Sequence, residues 1–240
     1  MTWFHSLDPR PHAAMRLFCF PHAGGAAAAY RDWHRAVPPS VEVRAVQYPG
    51  RADRASEAPL HDAHALADLI AEAMRPLLDR PAVLFGHSLG SLIAYETALR
   101  VSPAHLVVSG RRAANLPRPG TVHLGTEEEL TAELRRLGGT EPELLDDPDV
   151  RAYILPIVRA DYRLAETYRS RHAEPLDCPI TAIIGDSDPE VDTTNAAGWA
   201  ELTRAGFKLH VLPGGHFYLA PRRTEVIDLI LDAVSPGNAY

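Results

Sequence analysis

Val83-Leu84-Phe85-Gly86-His87-Ser88-Leu89-Gly90 runs directly into Ser91-Leu92-Ile93-Ala94-Tyr95-Glu96-Thr97-Ala98-Leu99. The first half is an apolar run with strand character and the second is helical, with only Gly-His-Ser-Leu-Gly to turn the chain between them. A turn that tight strains the serine backbone, and glycines two before and two after it remove side chains that would clash. The hydroxyl then stands above a sheet edge, where the N-terminus of the new helix favours developing negative charge. Strand, G-x-S-x-G and helix in that order are the context in which such a serine acts as a nucleophile.

The rest of the chain alternates strand and helix signals around this turn, which predicts an α/β fold with a mainly parallel sheet and helices on both faces. Arg16–Phe20 reads as the first clear strand, and Pro21-His22-Ala23-Gly24-Gly25 breaks it. Ala26–Val37 is expected to form a helix, and Val41–Tyr48 the next strand, stopped by Pro49-Gly50. Between His64 and Leu78 the apolar residues Leu66, Leu69, Ile70, Ala73, Met74 and Leu77 follow a helical period. Further strands are expected at His105–Ser109, Ile180–Ile184 and Lys208–Leu212, with a helical stretch around Thr194–Arg204 and a last helix over Arg222–Val234.

One region departs from the alternation. From Asn115 to about Glu174 only helical pattern is present, opened by the capped start Thr126-Glu127-Glu128-Glu129-Leu130. About sixty residues of helix between two core strands predict a lid over the catalytic edge, with an extra helical layer that never moves as the alternative; a lid would have Tyr153, Ile157 and Tyr162 shaping a pocket. The chain as a whole, 1–240, is expected to be a single domain carrying this lid at about 115–174.

Composition narrows the setting. A net charge of −7 argues against nucleic acid as a partner, and no apolar run is long enough to span a bilayer. Met1-Thr2-Trp3-Phe4-His5-Ser6 lacks a basic head and a long apolar core, so a cytoplasmic monomer is expected. Cys19 and Cys178 each adjoin apolar runs and read as buried small hydrophobes; with neither C-x-x-C nor H-E-x-x-H present, no metal site is expected.

A serine nucleophile needs a base, an orienting acid and oxyanion donors. With this kind of turn the acid and then the histidine follow the serine in the chain. His216, in the glycine-loosened loop Pro213-Gly214-Gly215-His216-Phe217, is the best base. His172 falls in the helical insertion and His210 inside a strand, while His87, adjacent to the nucleophile, is expected to point elsewhere. Asp186 and Asp188 both end the strand before it; Asp188 is preferred as the acid because the loop has turned by then, leaving Asp186 to hold the turn. The oxyanion donors are expected to be the backbone N–H groups of Leu89 and of Ala23, with His22 a packed loop residue without a proton-transfer role.

Six segments together resemble the type II thioesterases, stand-alone α/β-hydrolases that accompany polyketide synthases and nonribosomal peptide synthetases. They are Phe20-Pro21-His22-Ala23-Gly24-Gly25, Gln47-Tyr48-Pro49-Gly50-Arg51, Gly86-His87-Ser88-Leu89-Gly90, Ser109-Gly110-Arg111-Arg112, Gly185-Asp186-Ser187-Asp188-Pro189 and Pro213-Gly214-Gly215-His216-Phe217. The resemblance implies an α/β-hydrolase fold and an editing hydrolase that clears unwanted acyl groups from the phosphopantetheine arm of an acyl or peptidyl carrier protein. It implies no cofactor of the protein's own, since phosphopantetheine arrives on the partner. An acyltransferase, a general esterase on the same fold and a binding protein with a vestigial site are the alternatives. Carrier docking would call on arginines near the site, of which Arg51, Arg54, Arg111, Arg112, Arg222 and Arg223 are the candidates, each with an ordinary surface charge or internal ion pair as its competing explanation.

Overall fold

Seven strands form one sheet in the order β1-β3-β2-β4-β5-β6-β7 in the computed structural model, which describes residues 2–116, 120–171 and 174–235. The strands are β1 (Phe4–His5), β2 (Met15–Phe20), β3 (Val41–Val46), β4 (Ala82–His87), β5 (His105–Ser109), β6 (Ile180–Gly185) and β7 (Phe207–Leu212). All neighbours are parallel except β1, which runs antiparallel to β3 at one edge. That two-residue strand gave no sequence signal, being too short to show a period. The helices are α1 (Ala63–Met74), α2 (Leu89–Val101), α3 (Glu127–Leu137), α4 (Pro142–Asp146), α5 (Pro148–Thr167), α6 (Thr193–Ala197) and α7 (Arg223–Ala233).

Strand alternation divides the core in two. Phe18, Phe20, Leu84, Leu106 and Val108 meet α1 and α2 through Leu66, Ile70, Leu92 and Tyr95. Leu17, Cys19, Val83, Phe85 and Val107 face the other way, onto Val226, Ile227 and Ile230 of α7 and onto Tyr30 and Trp33. Burying both faces is what parallel strands require. None of the helices among the described residues is long and apolar enough to cross a membrane.

Two of the expected helices are corrected. Ala26–Val37 is not one helix but two single 3-10 turns, Ala27–Tyr30 and Trp33–Arg35. Tertiary bonds win over alanine propensity here: Ala27 N–H donates to Gln47 Oε1, Tyr30 Oη donates to the Phe20 carbonyl, and Trp33 packs 4.9 Å from Phe85. The stretch around Thr194–Arg204 is likewise the short α6 followed by a 3-10 turn at Gly198–Leu202, where Trp199 is drawn into the core by its Nε1–H bond to the Arg111 carbonyl.

Between Asn115 and Glu174 the described residues hold helices α3, α4 and α5 and no strand. The capping box at Thr126 and Glu129 forms as the sequence implies. Leu130, Leu134, Leu145, Leu155, Val158 and Tyr162 give these helices a small core of their own.

Candidate active site

Ser88 sits between β4 and α2 with φ 54° and ψ −115°, a left-handed backbone that only a constrained turn imposes on serine. Neighbouring β5 braces it: Ser88 N–H donates to the Ser109 carbonyl at 2.8 Å, and Ser91 Oγ bonds Ser109 at both its N–H and its carbonyl. The flanking glycines are sterically required. A Cβ on Gly86 would lie 2.5 Å from the Ser91 nitrogen, and one on Gly90 would lie 2.6 Å from the Phe20 carbonyl carbon.

Asp188 and His216 approach from β6 and β7. Gly185 lets the two loops press together, Ser187 N–H donating to the Gly214 carbonyl at 3.0 Å. His216 Nδ1 lies 2.9 Å from both carboxylate oxygens of Asp188, and both side chains are almost wholly buried. With Nδ1–H donated to a carboxylate, Nε2 keeps its lone pair. Asp188 Oδ1 also accepts the Glu190 N–H at 2.9 Å, which fixes the carboxylate. Asp186, by contrast, accepts the Gly214 N–H at 2.9 Å and the Ser187 hydroxyl. Those two bonds hold its carboxyl below the usual carboxylate range on the protein's exterior, where it ties the β6 loop to the histidine loop.

Ser88, Leu89, Ala23 and His216 line one cavity, which α3 and α5 wall with Leu134, Leu137, Ile154, Val158 and Tyr162. Leu89 is the first residue of α2, so its N–H has no partner within the helix. Ala23 is a corner of a turn closed by Gly25 N–H on the His22 carbonyl at 2.9 Å, with Gly24 at φ 76° as the other corner.

Three histidines crowd this site. His87 packs 5.0 Å from His216, ring to ring, so its side chain lies beside the proposed base rather than apart from it. Its Nδ1 is 2.9 Å from Ser109 Oγ, which in turn meets the Tyr218 hydroxyl at 2.6 Å; Tyr218 donates to the Ile183 carbonyl, so the chain of donors makes His87 Nδ1 protonated. Burial, then the charge of His216, pushes the His87 pKa well below its ordinary value. The same causes bring His22, whose ring meets Phe217 at 4.8 Å, down to about 4. Both stay neutral at pH 7 and are weaker bases than an ordinary imidazole. His210 lies on β7, outside the cavity, and His172 lies outside the described residues.

The site differs from the sequence-based expectation in its walls and its arginines. Tyr153 does not reach the cavity; it is 53% exposed and its hydroxyl accepts the Ala52 N–H at 3.0 Å. Ile157 is buried away from the cavity, because the α5 residues that line it are those at 154, 158, 161, 162 and 165, further round the helix. Truncating that stripe should retune the pocket. Ile154→Ala or Leu137→Ala is expected to shift the ratio of kcat/KM for long against short acyl chains by about tenfold, and Tyr153→Phe to leave it unchanged. An acetyl-to-decanoyl thioester series measures it, and an unchanged ranking in Ile154→Ala would remove this stripe from the acyl site.

Of the explanations open for Arg51 and Arg54, the internal ion pair holds for both. Their side chains are 4% and 5% exposed, the first paired with Asp161 and the second with Glu57, and Arg54 also lies 4.0 Å over the Trp3 ring. Arg111 is buried too, whereas Arg222 and Arg223 remain on the surface at the start of α7. Asp161 had a legible signal that was missed: it is the one acid on the apolar stripe Ile154, Val158, Tyr162, Ala165.

Comparison with known proteins gives a consistent set. A family model described as a thioesterase domain matches residues 15–234. The gramicidin S biosynthesis protein GrsT of Aneurinibacillus migulanus is 37% identical over 235 residues, covering 95% of this chain and 92% of that protein. Thioesterase PikA5 of Streptomyces venezuelae is 40% identical over 237 residues, covering 96% and 84% respectively. Among solved structures, the type II thioesterase BorB from the borrelidin biosynthetic cluster superposes with a TM-score of 0.91 at 42% identity, covering 97% of this chain and 98% of that one.

Proposed function

The chain belongs to the thioesterase family, as a hydrolase of the α/β-hydrolase fold acting on thioesters, and from that premise we propose that it is an editing enzyme for carrier-bound acyl groups. In this reading it removes aberrant or stalled acyl groups from the phosphopantetheine arm of an acyl or peptidyl carrier protein in polyketide or nonribosomal peptide biosynthesis. The observation that carries it is the convergence of Ser88, His216, Ala23 and Leu89 on one cavity, with Asp188 behind the histidine.

His216 Nε2 takes the Ser88 proton as Oγ attacks the thioester carbonyl, and the Asp188 carboxylate stabilises the imidazolium that forms. The N–H groups of Ala23 and Leu89 receive the tetrahedral oxyanion. The intermediate collapses with loss of thiol, protonated by His216, and leaves an acyl-enzyme on Ser88. A water that gives its proton to His216 then attacks the ester, releasing the carboxylic acid and restoring Ser88. None of these steps calls for a cofactor held by the chain, and phosphopantetheine arrives on the carrier.

One comparison tests the substrate. The same acyl group is presented on a carrier protein, on coenzyme A and as a simple oxygen ester, and kcat/KM is measured for each. Preference for the carrier by about tenfold or more over coenzyme A is expected, since protein contacts add to acyl recognition. Equal efficiency on all three would replace the editing role with that of a general esterase. Appearance of an acylated amine or alcohol in place of free acid would indicate acyl transfer.

A further inference from the structure

A buried ion pair that takes no part in the proposed chemistry joins the helical insertion to the oxyanion turn. Arg51, just beyond β3, and Asp161, on α5, are 110 residues apart and meet through two prongs, Nη1–Oδ2 at 2.6 Å and Nη2–Oδ1 at 2.7 Å. Each side chain is 4% exposed. Asp161 Oδ2 also accepts the Gly24 N–H at 2.8 Å, and Arg51 Nη1 also donates to the Gly25 carbonyl at 3.2 Å. The turn His22–Gly25 is thereby held at both a donor and an acceptor. Val158 of α5 closes the same junction, since a Cβ on Gly24 would lie 2.9 Å from Val158 Cγ2.

Stability alone does not call for such a pair. Desolvating two charges is costly, and apolar side chains of similar volume often hold a fold as well. Apolar side chains cannot, however, accept from Gly24 or donate to Gly25, so they would leave the direction of those peptides unset. Direction is what an oxyanion donor depends on, because its N–H must already point at the place where charge develops.

We propose that Arg51 and Asp161 are positioning residues, which tie the oxyanion turn to α5 so that the Ala23 donor is in place only while α5 is seated on the turn. The proposal rests on the hydrolase reading above and on Ala23 as a donor. It makes α5 the fixed wall of the acyl pocket rather than a swinging flap, and it makes seating of that wall a condition for catalysis. Loss of the pair should weaken transition-state binding more than ground-state binding.

Two inhibitors separate those effects. An acyl trifluoromethyl ketone adds Ser88 Oγ to its carbonyl carbon, passes the Ser88 proton to His216 and places its oxygen as an oxyanion. A thioether of the same chain has no carbonyl and reports acyl binding alone. In the double variant Arg51→Met/Asp161→Leu and in the near-isosteric Asp161→Asn, affinity for the ketone and kcat should fall about 10–100-fold, while thioether affinity stays within about threefold. Equal weakening of both inhibitors, or of neither, in a folded variant would overturn the proposal. The unaltered protein supplies a measurement free of folding effects. Binding of the ketone should slow amide exchange in 153–166 together with 22–25, because coupling is reciprocal; protection confined to 22–25 would overturn it as well. A protein that neither forms the ketone adduct nor hydrolyses thioesters refutes the hydrolase reading itself. Normal hydrolysis with an unchanged inhibitor ratio in the variants refutes only the role of the pair.

Discussion

Ser88→Ala is expected to leave a folded protein whose thioester hydrolysis falls by about four to six orders of magnitude, with His216→Ala matching it because nucleophile and base act as one unit. The discriminating substitution is at the acid. Asp188→Asn should lower kcat by about 10⁴, since an amide at that place favours the wrong histidine tautomer. Asp186→Asn should cost less than about tenfold, as its Oδ1 contacts are with the Gly214 N–H and the Ser187 hydroxyl, and an amide oxygen still accepts from both. Steady-state kinetics on one thioester with all four variants decides the assignment. A greater loss from Asp186→Asn than from Asp188→Asn would move the acid to Asp186 and leave the 2.9 Å contact between Asp188 and His216 without a catalytic role.

The strands and the elbow were legible because their signals are local. Apolar or alternating runs of five or six residues, with glycine or proline at their ends or within three residues beyond, mark β2 to β7, and the spacing of Gly86, Ser88 and Gly90 encodes the turn. The candidate site could be read as a set of loop ends, since in a parallel sheet the C-terminal ends of β2, β4, β6 and β7 must gather at one edge. What lay beyond reach depends on pairs distant in the chain. Nothing near Arg51 announces Asp161, and a surface arginine and a buried one read alike until a partner is placed. The pocket wall was placed correctly at Tyr162 and missed at Tyr153 and Ile157 for a related reason. A 20-residue helix with Pro156 inside and apolar residues on more than one side, as α5 is, does not say which face meets the cavity.

A fixed α5, as the tie between Asp161 and the Gly24 N–H would require, also bears on specificity. Residues at 154, 158 and 162 line the cavity from the same helix that carries Asp161, so on that proposal one element sets both pocket shape and oxyanion geometry. A change that enlarges the pocket by moving α5 would disturb the hole, whereas one that trims a side chain on α5 would not. Acyl preference in this protein should therefore be adjustable by side-chain size at Ile154 or on α3 at Leu137, with the helix left where it is.

Gly90→Ala carries the second large effect, and its consequence extends past the elbow. The added Cβ would meet the Phe20 carbonyl group and lie 2.8 Å from the Pro21 carbonyl oxygen, both of them backbone at the end of β2. Backbone there cannot yield as a flexible side chain would, and Phe20 is further fixed by the Tyr30 hydroxyl on its carbonyl oxygen. The strain should cost about 2–3 kcal/mol of stability. Relief by displacing Phe20 and Pro21 moves the chain that leads directly into His22 and Ala23, so one methyl group disturbs nucleophile and oxyanion turn together. Misplacement of reacting groups by about 1 Å typically costs 10²-fold, so kcat should fall by at least that much in the fraction that remains folded. Ile230→Ala provides the control: it empties a buried site on α7, outside the cavity, at a similar cost of about 2–5 kcal/mol. Urea midpoints and kcat, measured for both variants below their unfolding transitions, separate the two effects. Equal kcat in Gly90→Ala and Ile230→Ala would mean that the elbow tolerates the methyl group, and that the contact with β2 supports the fold without setting the geometry of the site.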